Sequence, residues 1–250
     1  MRLTVLGSSG GTPSRHNPAS GYLIESGSAR LWVDAGTGTF MALADRIDPG
    51  SLSAVVISHV HVDHCADLFG LYGYLAYGPS GDVPVPVFLP PGAAARLAAF
   101  VGATDGHPFT RVLDLVTVSG GESASVGDLT IGFGMAIHSV PALVTRIDDG
   151  GGGSLVYSGD TGPGGDLDAL LAGADVALIE ASLLGSRRPE HTVHHLTAGE
   201  AGSAASAAGI GSLIVTHVSP TLDPMVAVAE ASASYGGRAR LAEPGAVFEV

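Results

Sequence analysis

The chain contains no lysine, so its positive charge comes from arginine alone. Its 11 arginines and 24 acidic residues give a net charge of −13. A polyanion meets repulsion over most of such a surface, which argues against a long nucleic-acid footprint. Cys65 is the single cysteine, and this excludes an internal disulfide, a thiolate-rich metal site and an iron–sulfur cluster. Any metal site must therefore use histidine and carboxylate ligands.

Long apolar runs are also missing. No run reaches transmembrane length, and the N-terminal apolar stretch is too short for the core of a secretion signal. We therefore expect a cytoplasmic protein that does not enter a membrane. The 250 residues are 46% hydrophobic, which is enough for a sizeable core, and they contain no fixed repeat or domain linker. We expect one domain over residues 1–250.

Short apolar, β-branched segments recur along the chain, and most are bounded by Gly, Pro, Asp or Ser. Strands dominate the first half, and helices lie between the later strands, which predicts an α/β fold of two packed sheets with helices outside. The run 148–153 predicts a hairpin tip. The predicted strands are Leu3–Leu6, Tyr22–Ile24, Leu31–Val33, Val55–Ile57, Val85–Leu89, Val112–Val118, Leu129–Phe133, Leu155–Tyr157, Val176–Ile179, Leu213–Val215 and Val247–Val250. The predicted helices are Phe40–Arg46, Asp67–Tyr77, Ala93–Val101, Leu167–Leu171, Ala198–Ala208 and Pro224–Tyr235.

The stretch Ser58–Asp67 contains three histidines and two aspartates directly after an apolar strand. His59 and His61 are two residues apart and point the same way on an extended chain, and Asp63 and His64 follow as the next helix begins. This spacing divides naturally between two metal ions.

Several other apolar strands also end in a residue that can bind metal or support a ligand. Catalytic groups in sheet enzymes gather at the carboxyl ends of strands, so we expect these residues to meet at one edge. The strand-end residues are Asp34, His59, His138, Asp160 and His217.

Counting ligands gives two metal sites that share one carboxylate. Imidazole nitrogen with carboxylate oxygen suits Zn²⁺, although Mn²⁺ or iron can use the same ligands. Two such ions lower the pKa of a water and aim it at phosphorus or a carbonyl carbon, which predicts metal-dependent hydrolysis. The predicted ligands are His59, His61 and His138 for one ion, Asp63, His64 and His217 for the other, and Asp160 as the bridge.

These motifs, in this order, resemble those of the metallo-β-lactamase superfamily. The resemblance implies a four-layer αββα sandwich with two metal ions at the sheet edges. It also implies that Asp34 holds a ligand or the loop in place without touching metal. The motifs are Asp34 in Trp-Val-Asp-Ala-Gly-Thr-Gly, His59-x-His61-x-Asp63-His64, His138, Asp160 in Ser-Gly-Asp-Thr-Gly, and His217 in Val-Thr-His-Val-Ser-Pro.

The segment His-Leu-Thr-Ala-Gly-Glu-Ala-Gly that begins at His195 resembles the ribonuclease Z-like branch of that superfamily. In that branch a histidine at the matching position donates a proton during phosphodiester cleavage, which implies this catalytic role for His195. Asp63 would orient the attacking hydroxide in addition to binding metal. The alternative for His195 is a polar residue before a helix that Thr197 and Glu200 cap. Dimers are common in this branch, so a homodimer is an open expectation.

Two departures bear on the substrate. Ribonuclease Z enzymes that act on tRNA usually carry a long arm rich in glycine and basic residues, but only about twenty residues separate His138 from Asp160. Lysine is absent as well. Both departures favour a small phosphodiester such as a cyclic nucleotide, while cleavage of tRNA 3′ ends stays the alternative.

Other readings of the same site remain open. Hydrolysis of a lactone, thioester or sulfate ester needs the same metals and fold. A di-iron redox protein of this superfamily typically has glutamate where this chain has His61, so His61 favours hydrolysis. The complete ligand set argues against a catalytically silent binding module. Tyr72, Tyr74 and Tyr77 follow the motif and either stack on a substrate base or belong to the core.

Overall fold

The computed structural model describes residues 1–78, 83–185 and 192–250. Within these ranges, the chain forms two mixed β-sheets with helices against them. The strands are β1 (Arg2–Gly7), β2 (Gly21–Ser26), β3 (Ala29–Val33), β4 (Ala54–Val56), β5 (Val85–Leu89), β6 (Leu113–Thr117), β7 (Ser123–Val126), β8 (Leu129–Met135), β9 (Leu143–Asp149), β10 (Ser154–Tyr157), β11 (Val176–Glu180), β12 (Ser212–Thr216), β13 (Arg240–Leu241) and β14 (Val247–Glu249). The α-helices are α1 (Thr39–Ala44), α2 (Val62–Cys65), α3 (Leu68–Tyr77), α4 (Ala93–Phe100), α5 (Pro108–Val112), α6 (Leu167–Leu171), α7 (Ala198–Ala207) and α8 (Pro224–Tyr235).

Strand direction brings many strand ends to one edge of the molecule. The first sheet has the order β14-β1-β2-β3-β4-β5-β6, and the second has the order β13-β12-β11-β10-β9-β8-β7. Strands β3 to β6 are mutually parallel, as are β10 to β13. Two successive antiparallel pairings give β1 the direction of β3, and likewise give β8 the direction of β10. Residues that follow these strands can therefore meet at a shared edge.

Three hydrophobic layers hold the sheets and helices together. Leu31 and Ile131 pack in the layer between the two sheets. The outer face of the first sheet is covered by α1, α3, α4 and α5. The outer face of the second sheet is covered by α6, α7 and α8. Trp32 lies in the outer layer although its neighbour Leu31 lies in the inner one. Both faces of β3 are thus buried at its end, which explains why residues 31–33 are apolar without alternation.

The predicted sandwich of two sheets with helices outside is confirmed. The predicted tip at 148–153 is the turn of the β9–β10 hairpin. The prediction of a strand from Val112 was wrong at its start, because residues 108–112 form α5. Pro108 begins that helix and the His107 side chain accepts the Phe109 N–H, a local cap that outweighs the β-branched composition.

Strands β7 and β9 were missed by the sequence prediction. Ser123–Val126 and Leu143–Asp149 contain polar residues, and β7 lies at the edge of its sheet. The exposed edge at β7 does not require an apolar run, whereas β9 lies inside its sheet and its apolar residues are interrupted by Thr145 and Arg146, so the periodicity signal is weak in both strands. In the described part of the chain, no helix combines the length and apolar character needed to cross a membrane.

The packing between the sheets makes a testable prediction. Ile131 has 0% exposure, so we expect Ile131→Ala to lower the free energy of unfolding by about 2–5 kcal/mol because it leaves a cavity. Urea denaturation measures this change. Met41 on α1 is 65% exposed, and Met41→Ala is the matched control with little expected change. Equal stability of the two variants would contradict the assignment of Ile131 to the core.

Candidate metal centre

All seven predicted ligands lie together at the shared edge of the two sheets. His59, His138, Asp160 and His217 follow β4, β8, β10 and β12, so both sheets contribute. His61 is the residue before α2, and Asp63 and His64 lie in the first turn of that helix. The assignment of these residues as metal ligands stays a prediction, and the distances between their side-chain atoms show which of them could share an ion.

Three histidine nitrogens form the first group. His59 Nε2 lies 2.9 Å from His61 Nδ1, which lies 3.1 Å from His138 Nε2. Two nitrogens that bind one tetrahedral zinc at 2.0–2.1 Å lie about 3.3 Å apart. The group, together with an oxygen of Asp160, could therefore hold an ion.

Two histidines and a carboxylate form the second group. His64 Nε2 is 3.1 Å from His217 Nε2, and His217 Nε2 is 3.2 Å from Asp63 Oδ2. His64 Nε2 is 3.5 Å from the same Asp63 oxygen. These atoms have the spacing of ligands around one cation.

The Asp160 carboxylate lies between the two groups. Its Oδ1 is 3.3 Å from His64 Nε2 and 3.4 Å from His217 Nε2. Its Oδ2 faces the first group, 3.7 Å from His59 Nε2 and 3.9 Å from His138 Nε2. Oδ1 is buried and has no hydrogen-bond partner in the described residues. A carboxylate oxygen left in this state is costly, and a cation between the groups would satisfy it.

The pKa directions of His59, His138 and Asp160 match their metal-binding forms. His64 differs, because burial would lower its pKa but the charges of Asp160 and Asp34 outweigh burial and raise it well above its usual value. Burial lowers the pKa of His59 well below its usual value and that of His138 to about 4, so both rings are neutral. Burial alone would raise the pKa of Asp160, but His217 and His64 outweigh it and hold the pKa well below the usual range. Neutral imidazole and ionised carboxylate are the forms that bind metal.

Hydrogen bonds behind the rings fix their orientation. His138 Nδ1 donates to the His194 carbonyl at 2.9 Å. His217 Nδ1 lies 2.8 Å from Ser182 Oγ, whose own hydrogen goes to Glu180, so the ring donates here as well. Both rings therefore turn Nε2 toward the centre, and a hydrogen bond behind the ring is the pattern that supports metal-binding histidines.

Asp34 organises the other side of the centre. This fully buried carboxylate accepts hydrogen bonds from the Ser58 amide at 2.6 Å, the Ser58 hydroxyl at 2.8 Å and the Tyr157 hydroxyl at 2.7 Å. Its Oδ2 also lies 2.7 Å from His64 Nδ1. The Ser58 hydroxyl in turn lies 3.1 Å from His59 Nδ1. Asp34 thus orients ligands of both groups while lying behind them.

The backbone is strained at two of these positions. In the described ranges, Asp34 with φ 56° and His217 with φ 51° are the non-glycine residues with positive φ. Such conformations cost of order 1–3 kcal/mol and cluster at functional sites, where the surrounding structure enforces them. Both follow the last residue of a parallel strand and turn a side chain into the sheet edge.

His195 lies at the edge of the centre and contacts a carboxylate that the sequence prediction missed. Its Nδ1 is 3.1 Å and 3.2 Å from the two Glu180 oxygens, and Glu180 is fully buried. Glu180 also accepts the Thr161 N–H at 2.7 Å. A signal for Glu180 was available, because it ends the apolar strand β11 just as the strand-end residues end theirs.

The loop after β1 was also missed. The Gly11 N–H donates to Asp63 Oδ2 at 2.8 Å. A Cβ on Gly10 would lie 2.5 Å from the His217 carbonyl oxygen, so only glycine allows this close approach. These two glycines line one wall of a cavity of about 290 Å³ that also contacts Asp160 and His195.

The tyrosines after the histidine motif do not line this cavity. Tyr74 donates to Asp48 at 2.8 Å, and the hydroxyls of Tyr72 and Tyr77 lie 3.0 Å apart. Tyr72 and Tyr74 pack half-buried against the outer layer of the first sheet, which favours the core reading for these two.

Comparisons with known proteins agree with this geometry. A sequence model described as a β-lactamase superfamily domain matches residues 29–218. The chain is 36% identical over 255 residues to the uncharacterized protein ML1173 of Mycobacterium leprae, covering 100% of this chain and 89% of that protein. It is 30% identical over 249 residues to a ribonuclease Z of Mycobacterium bovis, covering 90% of this chain and 88% of that protein.

A solved structure extends the similarity to three dimensions. The protein named "Probable metallo-hydrolase YhfI" of Bacillus subtilis is 29% identical over 257 residues, covering 100% of both chains. The crystal structure of this metallo-β-lactamase fold protein superposes with a TM-score of 0.88 at 27% identity, covering 100% of this chain and 98% of that chain. The matched region contains every ligand candidate described above.

The hydrogen bonds of Asp34 predict its effect on metal binding. Asp34→Asn removes the charged acceptor behind His64, so we expect zinc affinity to fall by about 10–100-fold, as for other residues that orient metal ligands. Competition with a chromophoric chelator measures this affinity. Asp45→Asn, an exposed position just after α1, is the matched control. Unchanged affinity in Asp34→Asn would show that this carboxylate does not support a ligand.

Proposed function

Because the chain belongs to the metallo-β-lactamase superfamily and is a metal-dependent hydrolase, we propose that it is a phosphodiesterase for small substrates such as cyclic nucleotides. One observation carries the proposal: two ligand groups converge on Asp160, whose buried Oδ1 has no other partner among the described residues. We further propose that residues 1–250 act as one domain, since both sheets contribute to the centre.

In this proposal the two groups hold two divalent ions, zinc by the preference of their ligands. When bound, the ions polarise the phosphoryl oxygens, offset the charge that develops on them and lower the pKa of the nucleophilic water. His59, His61 and His138 would hold one ion, Asp63, His64 and His217 would hold the other, and the Asp160 carboxylate would serve both.

Asp63 has a second role in the proposed mechanism. The Gly11 N–H fixes its Oδ2, and this leaves the carboxylate at the wall of the cavity next to His217. There it orients the attacking water by accepting a hydrogen bond from it.

His195 is the proposed proton donor. Burial alone would lower its pKa, but the hydrogen bond and charge of Glu180 outweigh burial, so the pKa is raised above its usual value, which favours the protonated ring that a proton donor needs. Glu180 contacts Nδ1, and the proposed donor to the leaving oxygen of the substrate is Nε2. Protonation of that oxygen assists departure of the alkoxide. Asp160, His195 and His217 also have ligand-type spacing, so metal content separates a donor from a ligand role.

The proposed substrate size rests on the region between His138 and Asp160. That segment is the β9–β10 hairpin, which turns at 150–153 and leaves no room for a tRNA-binding arm. The absence of lysine and the charge of −13 further weaken attraction for a long polyanion. Cleavage of tRNA 3′ ends is the second candidate, and the 30% identity to a ribonuclease Z favours it.

The first experiment combines metal analysis with a substrate panel. We expect about two zinc ions per chain, and hydrolysis of bis(p-nitrophenyl) phosphate and cyclic AMP with no cleavage of a precursor tRNA. Clean tRNA cleavage would transfer the assignment to the second candidate. Two bound metals without turnover of any phosphodiester would overturn the phosphodiesterase proposal in favour of another ester.

The proton-donor role predicts a selective loss of turnover. We expect His195→Ala to keep its metals while kcat for cyclic AMP falls by about 10²–10⁴-fold, the usual contribution of a general acid. His194→Ala is the matched control, because the adjacent ring is exposed and the carbonyl that accepts from His138 is retained. A loss of one metal in His195→Ala would instead identify His195 as a ligand.

A further inference from the structure

A second cavity, of about 330 Å³, lies beside the catalytic cavity on the same edge of the sheets. We infer that this groove binds the nucleoside part of the substrate and that the Glu243 carboxylate accepts a hydrogen bond from a ribose hydroxyl. The inference rests on the proposed function and specifies its substrate as a nucleoside phosphodiester with a single phosphate.

The two cavities share a wall. Ser219, two residues after His217, lines both of them. Ser9 pairs with Val218 in an isolated β-bridge, and the Gly10 N–H donates to the Val218 carbonyl at 3.1 Å. These contacts between residues 9–10 and Val218 separate the groove from the candidate metal ligands by the width of one loop. A substrate whose phosphate lies at the centre can therefore extend its nucleoside into the groove.

The lining of the groove suits an uncharged group that has both hydroxyls and flat apolar faces. Ser8, Ser14 and Asn17 contribute polar side chains, which are hydrogen-bonded within this loop. Leu222 and Leu241 contribute apolar surface. No arginine or histidine lines the groove in the described part of the chain, so nothing there compensates a second phosphate. A ribose with its base has this combination of polar and apolar surface.

Glu243 is the charged residue of the groove. Strand β13 is parallel to β12 with Leu241 level with Val215, so Glu243 leaves its strand at the same edge at which His217 leaves β12. The side chain is exposed and has no hydrogen-bond or ion-pair partner within the described ranges. A carboxylate is the group that nucleotide-binding sites use for a ribose hydroxyl. The same charge repels a further phosphate and disfavours an oligonucleotide.

The test compares three substrates in the metal-loaded protein. In 3′,5′-cyclic AMP the 2′-hydroxyl is free, in 2′-deoxy cyclic AMP it is missing, and bis(p-nitrophenyl) phosphate has no sugar. We expect Glu243→Ala to lower the ratio of kcat/KM for cyclic AMP to that for bis(p-nitrophenyl) phosphate by about tenfold or more, through KM, since a hydrogen bond to a charged group is lost. The variant should also lose the wild-type preference for cyclic AMP over its 2′-deoxy analogue.

Matched controls separate recognition from general charge effects. Asp168→Ala removes an exposed carboxylate from a different groove, between α6 and α7, and should leave both ratios as in the wild type. Glu243→Gln keeps the size and an acceptor oxygen and should fall between wild type and Glu243→Ala. Thermal unfolding checks that all variants are folded.

Two results would overturn the inference, and they are distinguishable. Suppose that wild type hydrolyses cyclic AMP but Glu243→Ala keeps the ratios of kcat/KM for cyclic AMP to those for bis(p-nitrophenyl) phosphate and 2′-deoxy cyclic AMP. Glu243 then does not bind the ribose, and the proposed function stands without this inference. If the metal-loaded wild type hydrolyses neither cyclic AMP nor bis(p-nitrophenyl) phosphate, the proposed function and this inference fail together.

Discussion

The buried carboxylate of Asp160 is the point around which the centre is arranged. It lies between two sets of imidazole nitrogens, and one of its oxygens has no hydrogen-bond donor among the described residues. An ionised group in such a place needs a compensating charge, because desolvation of an unpaired carboxylate is very costly. Burial lowers the pKa of His59 and His138, so these rings do not supply it, whereas Asp160 and Asp34 raise the pKa of His64, which contributes one positive charge. Divalent cations bound by the surrounding side chains would supply this positive charge.

The fold meets this requirement by strand direction and by a second layer of hydrogen bonds. Both sheets end their parallel strands at one edge, so residues far apart in sequence converge without a long loop. Two buried carboxylates support side chains of the centre. Asp34 orients His64, and Glu180 orients His195. The positive φ of Asp34 shows that this arrangement stores backbone strain, which the packed sandwich around it sustains. Precise orientation is what metal-assisted hydrolysis needs from the protein.

Much of the fold and the convergence of the seven candidate ligands could be predicted from the sequence, because strand-end histidines and aspartates carry both a residue-type and a position signal. What escaped prediction had a weaker signal. The Gly11 contact with Asp63 uses a backbone N–H, and a backbone group cannot be recognised from the type of residue. Helix α5 depends on a cap by His107, and a short capped turn overrides composition. Glu180 carried the strand-end signal, but a single glutamate lacks the spacing that made His59 and His61 stand out.

Anomalous diffraction at the zinc absorption edge tests the central claim most directly, using crystals grown with Zn²⁺. We predict two peaks on either side of the Asp160 carboxylate, each about 2.0–2.2 Å from its ligand atoms. The first peak should contact His59 Nε2, His61 Nδ1 and His138 Nε2, and the second should contact Asp63, His64 Nε2 and His217 Nε2. A single peak, or peaks bound by other residues with Asp160 left uncoordinated, would contradict it.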